Sequence, residues 1–171
     1  MARGASWDRD LEQRIGEAMG KEIRAQDCNL SGAVCINLLR HPGWGRAQET
    51  YGEDPYHLGE MGAALSTGIQ THNVAATVKH FAVNSIENSR FKVNVKIDDR
   101  TLREVYLPHF KRVVDSGCST VMSAYNKMNG EYCGQNHELL TGILRGEWGF
   151  EGFVHSDWIF GVYKPYGAAA G

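Results

Sequence analysis

The chain has 171 residues, with 18 lysines and arginines against 20 aspartates and glutamates, for a net charge of −2. So small a charge, with the two signs interspersed, excludes a broad electrostatic footprint for nucleic acid. No apolar run of about 18 residues could cross a membrane as a helix, no basic and apolar leader opens the sequence, and an apolar fraction of 42% with 20 glycines excludes compositional disorder.

Ser6 is placed to cap a helix over 7–26, where Leu11, Ile15, Ala18, Met19 and Ile23 recur at three- and four-residue steps. An apolar run over 33–38 reads as a buried strand, followed by a long loop. Asp54-Pro55 opens a second helix reaching about residue 71, because aspartate caps and proline fits a first turn. A second strand covers 74–78, with Lys79-His80-Phe81 at its C-terminal end. After another long loop, Asp98 caps a third helix that Pro108 must kink or divide and Gly117 stops. A third strand over 120–124 ends in Tyr125-Asn126, and Asn136 opens a fourth helix that Gly149 ends. A short strand over 153–155 delivers Ser156-Asp157-Trp158.

The order is α-β-α-β-α-β-α-β. Strands that are apolar throughout, rather than alternating, indicate a parallel sheet covered on both faces. Polar residues follow each strand, where α/β barrels and doubly wound sheets place their sites. Four strands make either an open sheet or a part of a barrel. Four cysteines, Cys28, Cys35, Cys118 and Cys133, form no Cys-x-x-Cys pair and fit no zinc spacing. They read as reduced thiols, and both a cytoplasmic and a secreted parent remain open.

The strand ends bring candidate chemistry to one edge. The first loop gives Arg46, the second strand Lys79 and His80, the third Met122 and Tyr125, and the fourth Asp157 and Trp158. One carboxylate, several donors and an aromatic plate suit a neutral, polyhydroxylated ligand. The carboxylate could serve as nucleophile or electrostatic stabiliser at an anomeric carbon. The sequence has no GxGxxG after a strand, P-loop, HExxH or GxSxG elbow. Plainer readings stand beside these: Arg46 anchoring its loop through Glu49 or Glu53, His80 in the core, Tyr125 as packing, and Asp157 capping a helix. Trp44 and Trp148 read as packing residues.

The stretch from Arg40 through Trp44-Gly45-Arg46 to Gly52-Glu53-Asp54-Pro55 closely resembles a segment of glycoside hydrolase family three. So do Lys79-His80-Phe81 with Asn84, Asp99 to Pro108, Met122 to Asn126, and Ser156-Asp157-Trp158, all in the family's order. The resemblance implies part of an N-terminal TIM-like (β/α) barrel and a retaining, exo-acting β-glucosidase-like hydrolase. It makes Asp157 the nucleophile, Arg46, Lys79 and His80 sugar-binding residues, and Met122, Tyr125 and Trp158 pocket neighbours. It implies no cofactor or catalytic metal, and a small oligosaccharide or an aryl or alkyl glycoside as substrate. Neither nucleic acid nor membrane is an expected partner. The loop after Lys79-His80-Phe81 lacks the KHFPGHG and Asp-x-His pattern of the family's N-acetylglucosaminidases, which favours the glucosidase/xylosidase branch.

The family's DGP-type aspartate and its acid/base glutamate, carried on a second sandwich domain, have no counterpart in residues 1–171. The chain is therefore expected to be a fragment of the catalytic barrel domain without that second domain, and inactive alone. The alternatives are a carbohydrate-binding fragment without catalysis and a truncated product that does not fold. Self-association through exposed barrel edges is also an expectation.

Overall fold

The computed structural model describes residues 1–158. In chain order it contains α1 (Arg9–Ala25), β1 (Leu30–Cys35), α2 (Pro55–Gln70), β2 (Ala75–Phe81), β3 (Asn94–Val95) and α3 (Asp99–Thr101). These are followed by α4 (Pro108–Asp115), β4 (Thr120–Ser123), β5 (Lys127–Met128), β6 (Glu131–Tyr132) and β7 (Phe153–Ser156). Two helical stretches with wide, π-type turns, Leu102–Tyr106 and Glu138–Glu147, complete the described residues' longer helices.

β1, β2, β4 and β7 form one parallel sheet in that order. Spatial order therefore follows chain order. A doubly wound sheet reverses direction at a switch point, whereas a (β/α) barrel lays each strand beside the last. The architecture is the expected α/β partial barrel. Val34, Val78 and Val121, at the centres of three adjacent strands, are fully buried.

Local chemistry sets the helix ends. Asp54 and Asp98 cap as expected, accepting from the backbone N–H of His57 and Thr101. The first helix departs from expectation. Its cap is Asp8, which accepts from Leu11 N–H at 2.8 Å. Ser6 instead ends a 3₁₀ turn, because Trp7 takes a left-handed φ of 55° and breaks the run before the helix starts. Pro108 divides the third helix as expected, standing in the first turn of α4 after the wide turns of Leu102–Tyr106. The first strand also lies earlier than expected, at Leu30–Cys35 rather than 33–38, because its pairing with β2 begins at Leu30 and Ala75. Ile36 and Leu38 are apolar because they are buried beyond the strand's end, not because they belong to it.

α1 and α2 approach to backbone contact through glycines. A Cβ on Gly68 would lie 2.1 Å from Gln13 O, and one on Gly16 would lie 2.6 Å from Leu65 O. The Glu60 carboxylate on α2 joins Arg112 of α4, at 2.5 Å, to Arg9 of α1, at 2.6 Å.

The sequence reading did not anticipate a second sheet. β3 pairs in parallel with β5, which pairs antiparallel with β6. The β5–β6 turn is Asn129-Gly130, with φ of 50° and 103°, the paired positive angles that two-residue hairpins favour. Asn129 also exchanges two hydrogen bonds with the backbone of Ile97. The loops after β2 and β4 are thereby tied together above the barrel sheet.

Candidate active site

The registers Cys35–Lys79, Phe81–Ser123 and Ser123–Ser156 set the C-terminal ends of the four strands side by side. Asp157 follows β7 directly, and its backbone N–H continues the ladder to Ser123 O at 3.2 Å. Its side chain is only 10% exposed. Oδ1 accepts from Trp158 N–H at 2.8 Å, whereas Oδ2 is buried without a hydrogen-bond partner and lies 3.7 Å from His80 Nε2. Burial raises the Asp157 carboxyl above the usual aspartate range, while the Trp158 N–H and the charges of Arg46, Arg90 and Lys79 pull it back.

His80, near the end of β2, is buried. Its Nδ1 is 3.0 Å from Asn37 Oδ1, and its Nε2 is 2.9 Å from Arg46 Nη1. Burial first, then Arg46, Lys79 and Arg90, hold the His80 ring well below the ordinary histidine range, so it is neutral at pH 7. Arg46 is held on its other edge by Glu49, through Nε at 2.6 Å and Nη2 at 2.7 Å. This paired fork is the strong form of the carboxylate–guanidinium contact. The loop-anchoring and site readings of Arg46 therefore hold together: one edge anchors it and the other faces His80.

Lys79 is half-buried and acts electrostatically on His80, Glu49 and Asp157. A cavity of about 350 Å³ beside it is lined by residues including Ala33, Cys35, Glu49 and Tyr51. The Tyr125 hydroxyl donates to the carbonyl of Trp158. Burial and the Asp157 charge both raise the Tyr125 phenol. Met122 on β4 and the ring of Trp158 both reach toward Gly32 on β1, where a Cβ would lie 3.9 and 3.7 Å from them. Trp158 keeps 63% of its surface exposed. All seven residues picked from the sequence thus stand at or just inside the strand-end edge.

Three further residues join them. Arg90 lies with its guanidinium 4.7 Å from the Tyr125 ring centroid and 5.0 Å from that of Phe91, and its charge acts on Asp157. Glu87 holds Arg90 at 2.8 Å and accepts from the buried Trp44 indole N–H at 3.1 Å. Trp44 is thus a packing residue that also links the loops after β1 and β2. Asn37 bonds to both the backbone and the ring of His80. The signals for these residues were an acid–base pair three apart in the second loop, and one amide inside an otherwise apolar run. Trp148 packs edge-on to Phe81 at 5.7 Å, as expected of a packing residue.

Among the described residues no group of three His, Cys, Asp or Glu side chains could hold a metal ion, and no helix is long and apolar enough to cross a membrane.

The family model for the glycosyl hydrolase family 3 N terminal domain matches residues 1–169. A thermostable beta-glucosidase B of Acetivibrio thermocellus is 44% identical over 154 residues, which cover 90% of this chain and 20% of that protein. An exo-alpha-(1->6)-L-arabinopyranosidase of Bifidobacterium breve is 41% identical over 155 residues, 90% of this chain and 20% of that protein. The structure of beta-glucosidase 3B from Thermotoga neapolitana in complex with alpha-D-glucose superposes with a TM-score of 0.96 at 43% identity, over 98% of this chain and 24% of that one. The chain spans about a fifth of the length of the curated relatives it matches.

Proposed function

The chain belongs to glycosyl hydrolase family 3, and from that membership we propose that it supplies part of the catalytic barrel of a retaining, exo-acting β-glucosidase-like hydrolase. The observation that carries this reading is the buried Asp157 carboxylate, with Oδ2 free of hydrogen bonds and with the charges of Arg46, Lys79 and Arg90 acting on it. A carboxylate with one free oxygen, kept ionised by cations, is a nucleophile in waiting. In the proposed reaction Asp157 attacks the anomeric carbon of a terminal β-D-glucosyl or β-D-xylosyl residue. The aglycone leaves with a proton, and water then cleaves the glycosyl ester.

Arg46 and Lys79 are proposed to bind sugar hydroxyls, with His80, whose ring nitrogens face Asn37 and Arg46, contributing to sugar binding through Arg46, and with Met122, Tyr125 and Trp158 bounding the pocket. The two glutamates drawn into the site are both engaged: Glu49 by Arg46, and Glu87 by Arg90 and Trp44. The general acid is therefore proposed to come from beyond these residues. Without it the chain alone would lose about 10²–10⁴-fold in rate. The substrates are small oligosaccharides and aryl or alkyl glycosides.

The test is trapping with a 2-deoxy-2-fluoro-β-glucosyl donor in the full-length protein, followed by peptide mass spectrometry. Label on Asp157 is the expected result. Label on another residue, or hydrolysis with inversion at the anomeric carbon, overturns the reading. Aryl β-glucosides, β-xylosides and α-L-arabinopyranosides compared side by side would set the sugar preference.

A further inference from the structure

Asn37 stands just beyond β1 and is buried, in an otherwise apolar stretch of the chain. Its amide pairs with His80 three times. Oδ1 accepts from His80 backbone N–H at 2.8 Å and lies 3.0 Å from Nδ1, and Nδ2 donates to His80 O at 2.8 Å. The backbone settles which amide atom is which, because a backbone N–H can only donate and a carbonyl can only accept. The atom facing the ring is therefore oxygen, which has no proton to give. Nδ1 must carry the ring's proton, and a neutral ring then has a bare lone pair at Nε2.

We propose that Asn37 is a positioning residue that fixes His80 as its Nδ1–H tautomer, so that Nε2 accepts from Arg46 and turns no proton toward Asp157. The inference rests on the glycosidase reading for its catalytic consequence, but the tautomer itself does not.

Two consequences follow. Arg46 Nη1 donates to Nε2 at 2.9 Å, so His80 and Glu49 together hold the guanidinium and leave one Nη1–H and one Nη2–H for a ligand. And although Nε2 lies 3.7 Å from Asp157 Oδ2, it has no proton to donate to the nucleophile. The charged groups around the ring are Arg46, Lys79 and Arg90 on one side of the balance and Asp157 on the other, with Glu49 acting through Arg46. A second ring proton would point an N–H at the Arg46 N–H.

Neutron diffraction from deuterium-exchanged crystals of the full-length protein at pH 7 tests this directly. Deuterium on His80 Nδ1 and none on Nε2 is expected; deuterium on Nε2 overturns the proposal. The Asn37→Asp variant then separates positioning from mere support. It keeps the size of the side chain but places a carboxylate against Nδ1, which favours the doubly protonated ring by about 1–3 pH units. Relative to wild type, kcat/KM of the variant should therefore fall progressively as the pH is lowered. A loss of activity equal at every pH would mark Asn37 as structural and overturn the role. If the variant does not fold, the wild-type neutron map decides. If the protein hydrolyses no glycoside, the functional reading fails while the map still reports the tautomer.

Discussion

His109 offers the sharpest test of the packing. It sits on α4 with its Cα against Gly59 of α2, is 1% exposed, and has no hydrogen-bond partner on either ring nitrogen. Burial alone pushes its pKa from 6.5 to about 3. Between those values the unfolded chain holds a proton that the folded chain rejects. Stability must therefore fall as the pH drops through 6.5, and the loss is complete near 3. From pH 8 to pH 5 the unfolded ring gains about 1.5 pH units of proton binding, which at 1.36 kcal/mol each is about 2 kcal/mol. His80, also held neutral by burial, adds to the loss in the same direction. Urea unfolding at pH 8 and pH 5, in wild type and His109→Leu, isolates the His109 share. The wild-type drop should exceed that of the variant by about 2 kcal/mol. Equal drops would mean that His109 is protonated in the folded state or reached by water, and would refute the reasoning.

Asp157→Asn should lower kcat by about 10³-fold or more. It should also raise the melting temperature at pH 7, since burial raises the native carboxyl above 3.8 and so makes its ionised form a cost to the fold above that pH; a variant no more stable than wild type would contradict the burial argument. Arg90→Gln removes one of the cations that hold Asp157 ionised, so the acid limb of kcat/KM should shift to higher pH, and a limb that stays in place would detach Arg90 from Asp157. Gly68→Ala drives a methyl into Gln13 O, 2.1 Å away, and should cost about 1–3 kcal/mol or more in a denaturant titration. A neutral result there would mean that α1 and α2 are free to separate.

The order of elements was legible because their signals are local. Asp54 before Pro55, Asp98, Pro108, Gly117 and Gly149 each act within a turn or two of themselves, and each stands where the chain starts or stops a helix. The start of β1 was not legible, since Leu30 joins the sheet by pairing with Ala75, 45 positions along the chain. The small sheet was missed although Asn129-Gly130 is a strong turn signal, because its strands are two residues long and carry no periodicity. Within the site, Asp157, Arg46 and His80 could be placed from strand ends and family motifs. Arg90, Glu87 and Asn37 could not, because their roles depend on contacts between separate loops or strands. Asn37 looks like a flaw in an apolar run until its partner, His80, 43 residues away, is in view.

The charges of the site explain why a neutral His80 belongs in it. Arg46, Lys79 and Arg90 carry three positive charges, and Glu49, Glu87 and Asp157 carry three negative ones. With His80 neutral this half-buried set balances, and a protonated ring would add an unpaired positive charge on the buried imidazole itself, where such a charge is costly. In the proposed reaction the balance survives the chemistry. When Asp157 becomes a glycosyl ester it loses its negative charge, while the incoming general acid, having given its proton to the aglycone, acquires one. Hydrolysis of the ester reverses both changes. A histidine able to take up that proton would compete with this exchange; the Asn37 oxygen at Nδ1 and the Arg46 guanidinium at Nε2 leave His80 no stable second site for it.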